Sequence, residues 1–567
     1  MKRIAIGLLL ALAFFVVPPA SGDEVATGAA ASPASLCPAD AFLYIETAPL
    51  ADVRRDLDAF GMAACPQFYP MLSVQIEQFM ATPLATSIDL TRSAAFAMRL
   101  APVAPGEDPF SKEPVPLLIV PVRDALAFRE AFQKMDPGSV IVERGGYALV
   151  SSDAAHLAYE AGPAPAFATT GDVRMVLDVA RLRAVGGANL EAKIVEGRDQ
   201  ALLMMSLGIS DPAQAAVQRA MLGWYFDMIL KAVQQAGRVE GAADLSAERV
   251  RATWRVSPEA LSGMETFFRA QPSGLGTLHR MLPPDAWLTM AMRYDRASWM
   301  EGFEGMIAAM TSSGGGAASS GAIDAFRGVV SMYGDEVAAA YVPGGLCMEG
   351  YMGGAPTPAT RGALETWFSA LRPTVPNAPS ISRWYEHAGF PVAEITIPLV
   401  PPGAPPEAAE AVRRMFGGAD MRMALHLGAP VQTMVMGDEA RLRAAVGRIA
   451  AAGAPTAPAW HTQMVAQVPG HACSMFAIDL IRAIVFGGDI QARTMGLPTN
   501  PFASVGTLGQ APIAFYAGFP EGTMEFGCHI PASSVATMSS AVPMLMMLGA
   551  QMQQGPPPPP QTQPQGW

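Results

Sequence analysis

The chain of 567 residues is 51% hydrophobic and 16% charged, and it contains 54 glycines and 50 prolines. These proportions exclude a disordered chain and a collagen-like polymer, and the length allows several structural units with large cores. The net charge is −12, and the 33 arginines and five lysines form no basic stripe. Because phosphate backbones are bound by such stripes, we expect no nucleic-acid partner.

The N-terminus predicts a secretory signal peptide over residues 1–22. Lys2 and Arg3 supply its positive charge, residues 4–17 are apolar, and small residues follow before a predicted linker at residues 23–34. We therefore expect an exported protein of a bacterial envelope, periplasmic or extracellular. An uncleaved membrane anchor is the alternative.

The C-terminal region is apolar and contains no Asp, Glu, Lys or Arg from Phe526 onwards. Its apolar run at residues 541–550 is interrupted by Pro543 and is shorter than the roughly 18 residues that a membrane span needs. We expect a core helix there, a disordered Pro/Gln tail at residues 553–567, and no transmembrane segment after signal cleavage. Contact with a membrane surface or a partner is the alternative.

Four sequence patterns occur in the same order in two parts of the chain, and this order predicts an internal duplication. The matching segments are residues 38–46 with 284–292, 146–157 with 431–442, 176–181 with 477–482, and 251–256 with 524–530. We predict a first half at residues 35–272 and a second half at residues 273–552. The second half contains a flexible insertion at residues 311–321 and a proline-rich connection at residues 398–406.

Within each half, short strand-like runs alternate with amphipathic helices. A helix over Ala125–Met135 is predicted to bury Phe128, Phe132 and Met135, with Asp124 as its N-cap. Residues 140–143 and 147–151 form a predicted hairpin, because two glycines lie between them. A longer helix is predicted to begin with Asp211 and Pro212. Its apolar stripe, predicted to lie in the core, comprises Val217, Met221, Tyr225, Met228, Ile229 and Val233. We predict an α+β fold of duplicated units, each an antiparallel sheet faced by helices.

Sequence motifs for catalysis or cofactor binding are not found. The chain has no GxSxG, SxxK, Walker, GxGxxG, HExxH or CxxC pattern, so we predict no catalytic residue and no cofactor. Six aspartates recur at turns and helix starts, where capping is expected: Asp40, Asp153, Asp178, Asp285, Asp438 and Asp479. Asp178 with Arg181, and Asp479 with Arg482, have the spacing of helical salt bridges.

Methionine is unusually frequent, with 35 residues. Thioethers bind Cu(I), and one stretch combines two Met-x-Met pairs with a histidine. The candidate copper ligands are Met421, Met423, His426, Met434 and Met436. The alternative is that methionine is used throughout the chain as an adaptable packing residue.

Five cysteines occur in a chain predicted to reach an oxidising compartment. The candidate disulfides are Cys37 with Cys65 and Cys473 with Cys528, which leaves Cys347 unpaired, although spacing alone does not fix the connectivity. His471 near Cys473 and His529 beside Cys528 offer a further, weaker possibility of a mononuclear metal site.

The repeated opening Pro38-Ala-Asp-Ala-Phe-Leu-Tyr-Ile resembles that of a loose group of exported bacterial proteins classed as a domain of unknown function. The strand–helix unit at residues 117–135 and the strand and cap at residues 150–156 are similar to theirs as well. The resemblance covers much of residues 35–450, through short structural motifs. It implies an envelope location and a repeated α+β fold, and it supplies no catalytic residue.

Taken together, these patterns predict a non-enzymatic exported envelope protein that binds a hydrophobic ligand, such as a lipid, or an envelope partner protein. One alternative is a soft-metal binding protein that uses the methionine set. A second alternative is an exported hydrolase whose site is assembled from distant residues. The oligomeric state does not follow from the sequence.

Overall fold

A single antiparallel sheet organises the chain in a computed structural model. The structure describes residues 32–553 except 102, 104–106, 164, 207–211, 301–303, 305–319, 344–346, 373–377, 401–403, 417 and 452–454. The predicted signal peptide, nearly all of the linker and nearly all of the C-terminal tail lie outside the described residues. So do Asp211, most of the insertion at residues 311–321 and the centre of the connection at residues 398–406.

Eighteen strands are described, eight in the first half of the chain and ten in the second. The first eight are β1 (Leu43–Pro49), β2 (Ser93–Arg99), β3 (Val115–Pro121), β4 (Val140–Arg144), β5 (Tyr147–Ser151), β6 (Val173–Asp178), β7 (Ala236–Leu245) and β8 (Arg249–Pro258). The remaining ten are β9 (Leu288–Arg293), β10 (Glu336–Val342), β11 (Cys347–Gly353), β12 (Ser380–His387), β13 (Phe390–Pro398), β14 (Asp420–His426), β15 (Val431–Met436), β16 (Ala472–Asp479), β17 (Pro512–Gly518) and β18 (Met524–Pro531).

Every pairing between these strands is antiparallel. Across the first half the neighbours run β4-β5-β3-β2-β1-β6-β7-β8. From β8 the sheet passes to β18 and continues β17-β16-β9-β10-β11-β15-β14-β13-β12. The order outward from β8 is therefore matched by the order outward from β18, and the hairpin of β12 and β13 is an addition at the far edge.

Helices lie between the strands and at the ends of the sheet. Those of the first half are α1 (Leu50–Ala64), α2 (Tyr69–Met80), α3 (Pro83–Thr86), α4 (Ala125–Met135), α5 (Val179–Ser206), α6 (Pro212–Gln235) and α7 (Gly263–Ala270). Those of the second half are α8 (Ser320–Ser331), α9 (Thr360–Leu371), α10 (Pro406–Phe416), α11 (Glu439–Ala450), α12 (Ala459–Gln467), α13 (Leu480–Met495) and α14 (Ala532–Gln553). Helices with an antiparallel sheet give the α+β fold that the sequence predicts.

Local sequence signals account for several element boundaries. Asp124 accepts backbone hydrogen bonds from residues 126 and 127 and caps α4, as predicted, and Phe128 and Phe132 are buried. Met135, which was predicted to join them, is 57% exposed instead, because it is the last residue of the helix. The β4–β5 hairpin turns through Gly145 and Gly146, which both have positive φ.

The stripe of α6 was predicted to be core, and this prediction is wrong for two of its residues. Tyr225 and Met228 are exposed by 53% and 43%. The reason is that α5 and α6 pack on each other as a helical pair in the connection from β6 to β7, and among the described residues α6 makes no extensive contact with a strand.

The C-terminal helix α14 is longer than the sequence predicts, since it continues through Pro543 to Gln553. Ala541 is fully buried against α13, whereas Met546 and Met547 are exposed. Among the described helices it is the one whose length and composition would allow it to cross a membrane, over Ala532–Ala550, and 17% of that span is buried. The expected core helix therefore packs in a core along one side, which includes Met538, Met544 and Leu548, while other residues of it are exposed.

Two aspartate–arginine pairs make the same contacts in both halves. The backbone N–H of Asp178 donates to the carbonyl of Phe42, and Arg181 donates to the carbonyl of Ala41 at 2.8 Å. In the same way, the backbone N–H of Asp479 donates to the carbonyl of Trp287, and Arg482 donates to the carbonyl of Ala286. Both acceptors lie in the segment before β9. These arginines therefore fasten a helix start to the beginning of a strand.

Four of the six recurring aspartates are confirmed as caps: Asp153, Asp178, Asp438 and Asp479. The other two were predicted to be caps but pair with arginines. Asp40 contacts Arg99 at 3.4 Å, and Asp285 contacts Arg441 at 3.2 Å. Their positions before β1 and β9 bring them to a strand start, not to a helix N-terminus.

The two matched caps should differ in their contribution to stability. Asp479 is fully buried and accepts from the N–H groups of Ile481 and Ala511, whereas the side chain of Asp178 is 40% exposed. We expect Asp479→Ala to lower the free energy of unfolding by about 3 kcal/mol, because it removes a cap and leaves a second buried N–H unpaired. Asp178→Ala should cost about 1 kcal/mol. Urea unfolding followed by tryptophan fluorescence measures both, and equal losses would contradict the assignment.

Candidate functional site

The eight strands at the centre of the sheet carry an apolar face. In each of these strands, every second side chain points to the side of the sheet on which Phe526 lies. The strands, in their order across the sheet, are β1, β6, β7, β8, β18, β17, β16 and β9. Cross-strand neighbours on this side include Trp254 with Phe526, and Phe515 with Phe476, and the latter is opposite Met290. No charged residue occupies these alternate positions in the eight strands. We call this surface the apolar face.

Several large side chains of the apolar face are exposed. The exposed fractions are 38% for Phe526, 44% for Phe515, 37% for Phe476 and 38% for Met290. The rings of Trp254 and Phe526 stack with centroids 5.4 Å apart, and those of Phe476 and Phe515 are 6.3 Å apart. A contiguous exposed row of this kind is unusual for a soluble monomer and is typical of a binding surface.

Helices cover the same side of the sheet on either flank of the apolar face. In the first half, Phe128 and Phe132 of α4 pack against β3 and β5. In the second half, α8 and α9 pack against β11, β13 and β14, with Leu364 of α9 buried there. The open central strands therefore lie between two helix-covered regions.

The opposite side of the same strands carries charged residues, and most of them are paired. Glu525 contacts Arg255 at 3.1 Å and the imidazole of His471 at 3.1 Å. Arg238 lies 2.9 Å from Glu240. These carboxylates are buried, so their charges are neutralised locally while the uncharged face is open. An antiparallel sheet with one solvated side usually has the reverse arrangement.

A further polar cluster in the middle of β1 shows the same principle. Glu46 is buried, its carboxylate accepts from the hydroxyl of Tyr44 at 3.0 Å, and Arg174 lies 3.4 Å away. Burial raises the pKa of Glu46 above its ordinary value, and both partners oppose that shift. The contacts fix the sheet rather than forming a reactive centre.

Sequence reasoning missed the apolar face, although a signal was present. In β8, Arg249, Arg251 and Arg255 are separated by even numbers of residues and so share one side of the strand, whereas Trp254 lies on the other side. In β18, Phe526 alternates with the buried Glu525 and Gly527. A period of two places these residue types on opposite sides, but the sequence does not reveal which side a helix covers.

The candidate copper ligands are only partly brought together. Met421, Met423, Met434 and Met436 occupy alternate positions on one side of β14 and β15, and Met423 is directly opposite Met436. His426 is on the other side of β14, where its Nε2 lies 3.2 Å from the carbonyl oxygen of His387. Because neighbouring residues of a strand point to opposite faces, the predicted five-ligand set does not form one centre. Met423 and Met434 instead pack with Leu425 in a hydrophobic core.

All five cysteines are free in the structure, so neither candidate disulfide forms. Cys473 and Cys528 lie on β16 and β18, which are separated by β17. Two strand spacings amount to about 10 Å, which exceeds the Cα separation that a disulfide spans. Cys37 is buried in the core under β1 and β2, whereas Cys65 ends α1.

The weaker histidine–cysteine possibility fails for a related reason. His529 and Cys528 are adjacent in β18 and point to opposite sides, and His471 is bound to Glu525. Within the part of the chain that the structure describes, no group of three or more His, Cys, Asp or Glu residues is placed to hold a metal ion.

A buried histidine pair lies where α12 packs on β9. His461 is fully buried, with Nδ1 2.8 Å from the hydroxyl of Thr289 and Nε2 3.3 Å from Nδ1 of His279. Burial, together with the neighbouring His279, lowers the pKa of His461 to about 3. The pair is uncharged at neutral pH and joins α12 to β9.

Comparison of the chain with protein-family models, with curated proteins and with solved structures found no match. The resemblance to exported proteins of a domain of unknown function therefore stays a prediction.

The free cysteines give a direct chemical prediction. Denatured protein that has not been reduced should titrate five thiols with Ellman's reagent. In the native protein Cys37 and Cys473 should not react at pH 8, because burial raises their pKa values to about 12 and about 11. A count of three or one in the denatured protein would show that disulfides form.

The buried histidine predicts a loss of stability in acid. Below pH 6.5 the unfolded chain binds a proton at His461 that the folded chain does not bind until the pH approaches 3, so stability falls as the pH is lowered through this window. From pH 7.5 to pH 5 the contribution is about 2 kcal/mol. Urea unfolding at both pH values should show a smaller decrease for His461→Gln than for the wild type.

The half-buried His156, which lies in the other half of the chain, provides a matched control. His156→Gln should retain the decrease of the wild type. Parallel pH dependence of the wild type and His461→Gln would contradict the assignment.

Proposed function

We propose that this protein is an exported, non-enzymatic binding protein of the cell envelope, and that its apolar face holds the acyl chain of a lipid. The exposed row of aromatic and aliphatic side chains on a face without charges is the observation that carries the proposal. The signal-like N-terminus supports export, although residues 1–22 lie outside the described residues.

The hydrophobic effect supplies the driving force for binding. Full burial of a Phe or Met side chain is worth about 1.5–3 kcal/mol, so covering the exposed part of each of four side chains contributes about 1 kcal/mol apiece. The four are Phe476, Phe515, Phe526 and Met290. The half-buried Trp254, Ile45 and Met175 extend the same surface.

The chemistry of the apolar face favours an acyl chain over a polar ligand. Backbone N–H and C=O groups in the eight strands are used in the ladders on both sides, so they are not available to a ligand. A polar group placed there would lose its hydrogen bonds to water without gaining others. Eight strands span about 34 Å between the first and the last, which exceeds the ~15 Å thickness of the hydrocarbon of one bilayer leaflet. The apolar face is therefore long enough for an extended acyl chain.

We also propose that the two halves are duplicated units. The matched strand order on either side of the β8–β18 junction supports this, as do the shared contacts of Arg181 and Arg482. A continuous apolar face follows, because each half contributes four of its strands.

Native mass spectrometry of the mature protein, purified from its own cell envelope, tests the proposed function. We expect a stoichiometric adduct of several hundred daltons that lipid extraction removes. A bare mass together with a co-purifying polypeptide would instead favour an envelope partner on this face, and a bare mass with no binding of added fatty acid would overturn the proposal.

Substitutions on the apolar face give a second, independent test. The double variant Phe515→Ser/Phe526→Ser should bind the fluorescent fatty acid cis-parinaric acid about tenfold more weakly than the wild type, because it removes about 1.4 kcal/mol or more of apolar burial. Phe390→Ser is the matched control, since Phe390 is also 37% exposed and lies at the far edge of the sheet. Equal effects of both variants would show that the fatty acid binds elsewhere.

A further inference from the structure

A pocket of about 280 Å³ lies on the charged side of the sheet, where β8 begins, β18 ends, and α12 and α14 meet. Arg249, His529, Gln467 and Ser533 are among its lining residues, and Glu248 lies there as well. Because His529 and Cys528 are neighbours in one strand, the pocket and the apolar face lie on opposite sides of β18.

His529 lines this pocket and carries a buried polar atom without a partner. The residue is 3% exposed, and its Nδ1 has no hydrogen-bond partner within the described protein. A buried polar atom without a partner costs free energy, so such an atom calls for an explanation. Burial and the neighbouring Arg249 and Arg251 lower the pKa of His529 to about 4, so the imidazole is neutral at pH 7 and one of its nitrogens carries a hydrogen.

Within the described residues the two arginines beside His529 form no ion pair, and Asp244 of β7 is opposite Arg251 in the ladder. Four residues along β8, Arg255 is opposite Glu525 of β18 and forms an ion pair with it. His529, however, is opposite Arg251. Among the described residues no carboxylate lies within 4 Å of Arg249 or Arg251; the first contacts Gln467 at 3.5 Å and the second the hydroxyl of Tyr516 at 3.2 Å.

The helix α14 begins at the same pocket. Its first N–H, at Ala532, donates to the carbonyl of Glu248 at 2.7 Å, and Ser533 in its first turn lines the pocket. The first N–H groups of a helix have no partner within the helix, and the dipole of a 22-residue helix places partial positive charge there.

We propose that this pocket binds a small oxyanion, either a phosphate or a carboxylate group. Arg249 supplies the charge, His529 offers a hydrogen bond from Nδ1, and the start of α14 offers backbone N–H groups. Glu248 lies at the exposed rim and opposes binding by its negative charge.

Isothermal titration calorimetry with the full mature chain tests the proposal, using inorganic phosphate, glycerol 3-phosphate and acetate at constant ionic strength set by chloride. Saturable binding of at least one of them is expected. Tighter binding of glycerol 3-phosphate than of inorganic phosphate identifies the group as part of an organic molecule, the reverse identifies a free ion, and preference for acetate identifies a carboxylate. Failure of all three to bind would overturn the proposal.

Variants locate the site. Arg249→Gln should weaken binding about tenfold, because a hydrogen bond to a charged group is lost. Glu248→Gln should strengthen binding, and this variant requires no buried substitution. Arg422→Gln is the matched control, since its side chain is 75% exposed at the far end of the sheet. Binding that Arg249→Gln leaves unchanged, or that Arg422→Gln weakens equally, would refute this pocket as the site.

Discussion

The ladder between β8 and β18 is the interaction on which the rest of the structure depends. It pairs eight residues of each strand, from Val256 with Met524 to Arg249 with Pro531. On one side it stacks Trp254 on Phe526, and on the other it pairs Arg255 with Glu525. Without this ladder each half would end in an exposed edge strand, and such edges invite association with other chains. With it, the only free edges among the described strands are β4 and β12, at the far ends of the sheet.

The same ladder shows how matched positions in the two halves differ. Counting pairs outward through β7 and β17 places Arg255 and His529 at corresponding positions in the two strands. Arg255 has the acidic Glu525 opposite it, whereas His529 has Arg251 opposite it. A neutral histidine is tolerated there because it avoids like-charge repulsion, which would be costly between directly opposite residues. The result is that Arg249 and Arg251, beside a helix start, form no ion pair within the described residues.

The sequence allowed local features to be predicted and long-range ones to be missed. Asp124, Asp438 and Asp479 cap helices through atoms two or three residues away, and the Gly145–Gly146 turn needs only its two neighbours, so short patterns identify them. The α+β class follows from the same patterns.

Features that depend on distant pairing could not be predicted in this way. In the chain, β8 and β18 are separated by most of the second half and by all of its other strands. A period of two shows that Phe526 and Glu525 face opposite ways, but only the placement of α12 shows that the charged side is the covered one. The exposure of a side chain depends on which elements pack against it. The sequence therefore did not show that Tyr225 is exposed or that Met423 of β14 and Met434 of β15 pack in a hydrophobic core.

The two proposed sites follow from the pairing of β8 with β18. They use opposite sides of β18, and the ladders to β8 and to β17 hold that strand at both edges against a shift that would couple the two sites. Occupation of the apolar face should therefore leave the affinity of the anion pocket unchanged, since coupling between sites requires an element with two arrangements that both ligands bias.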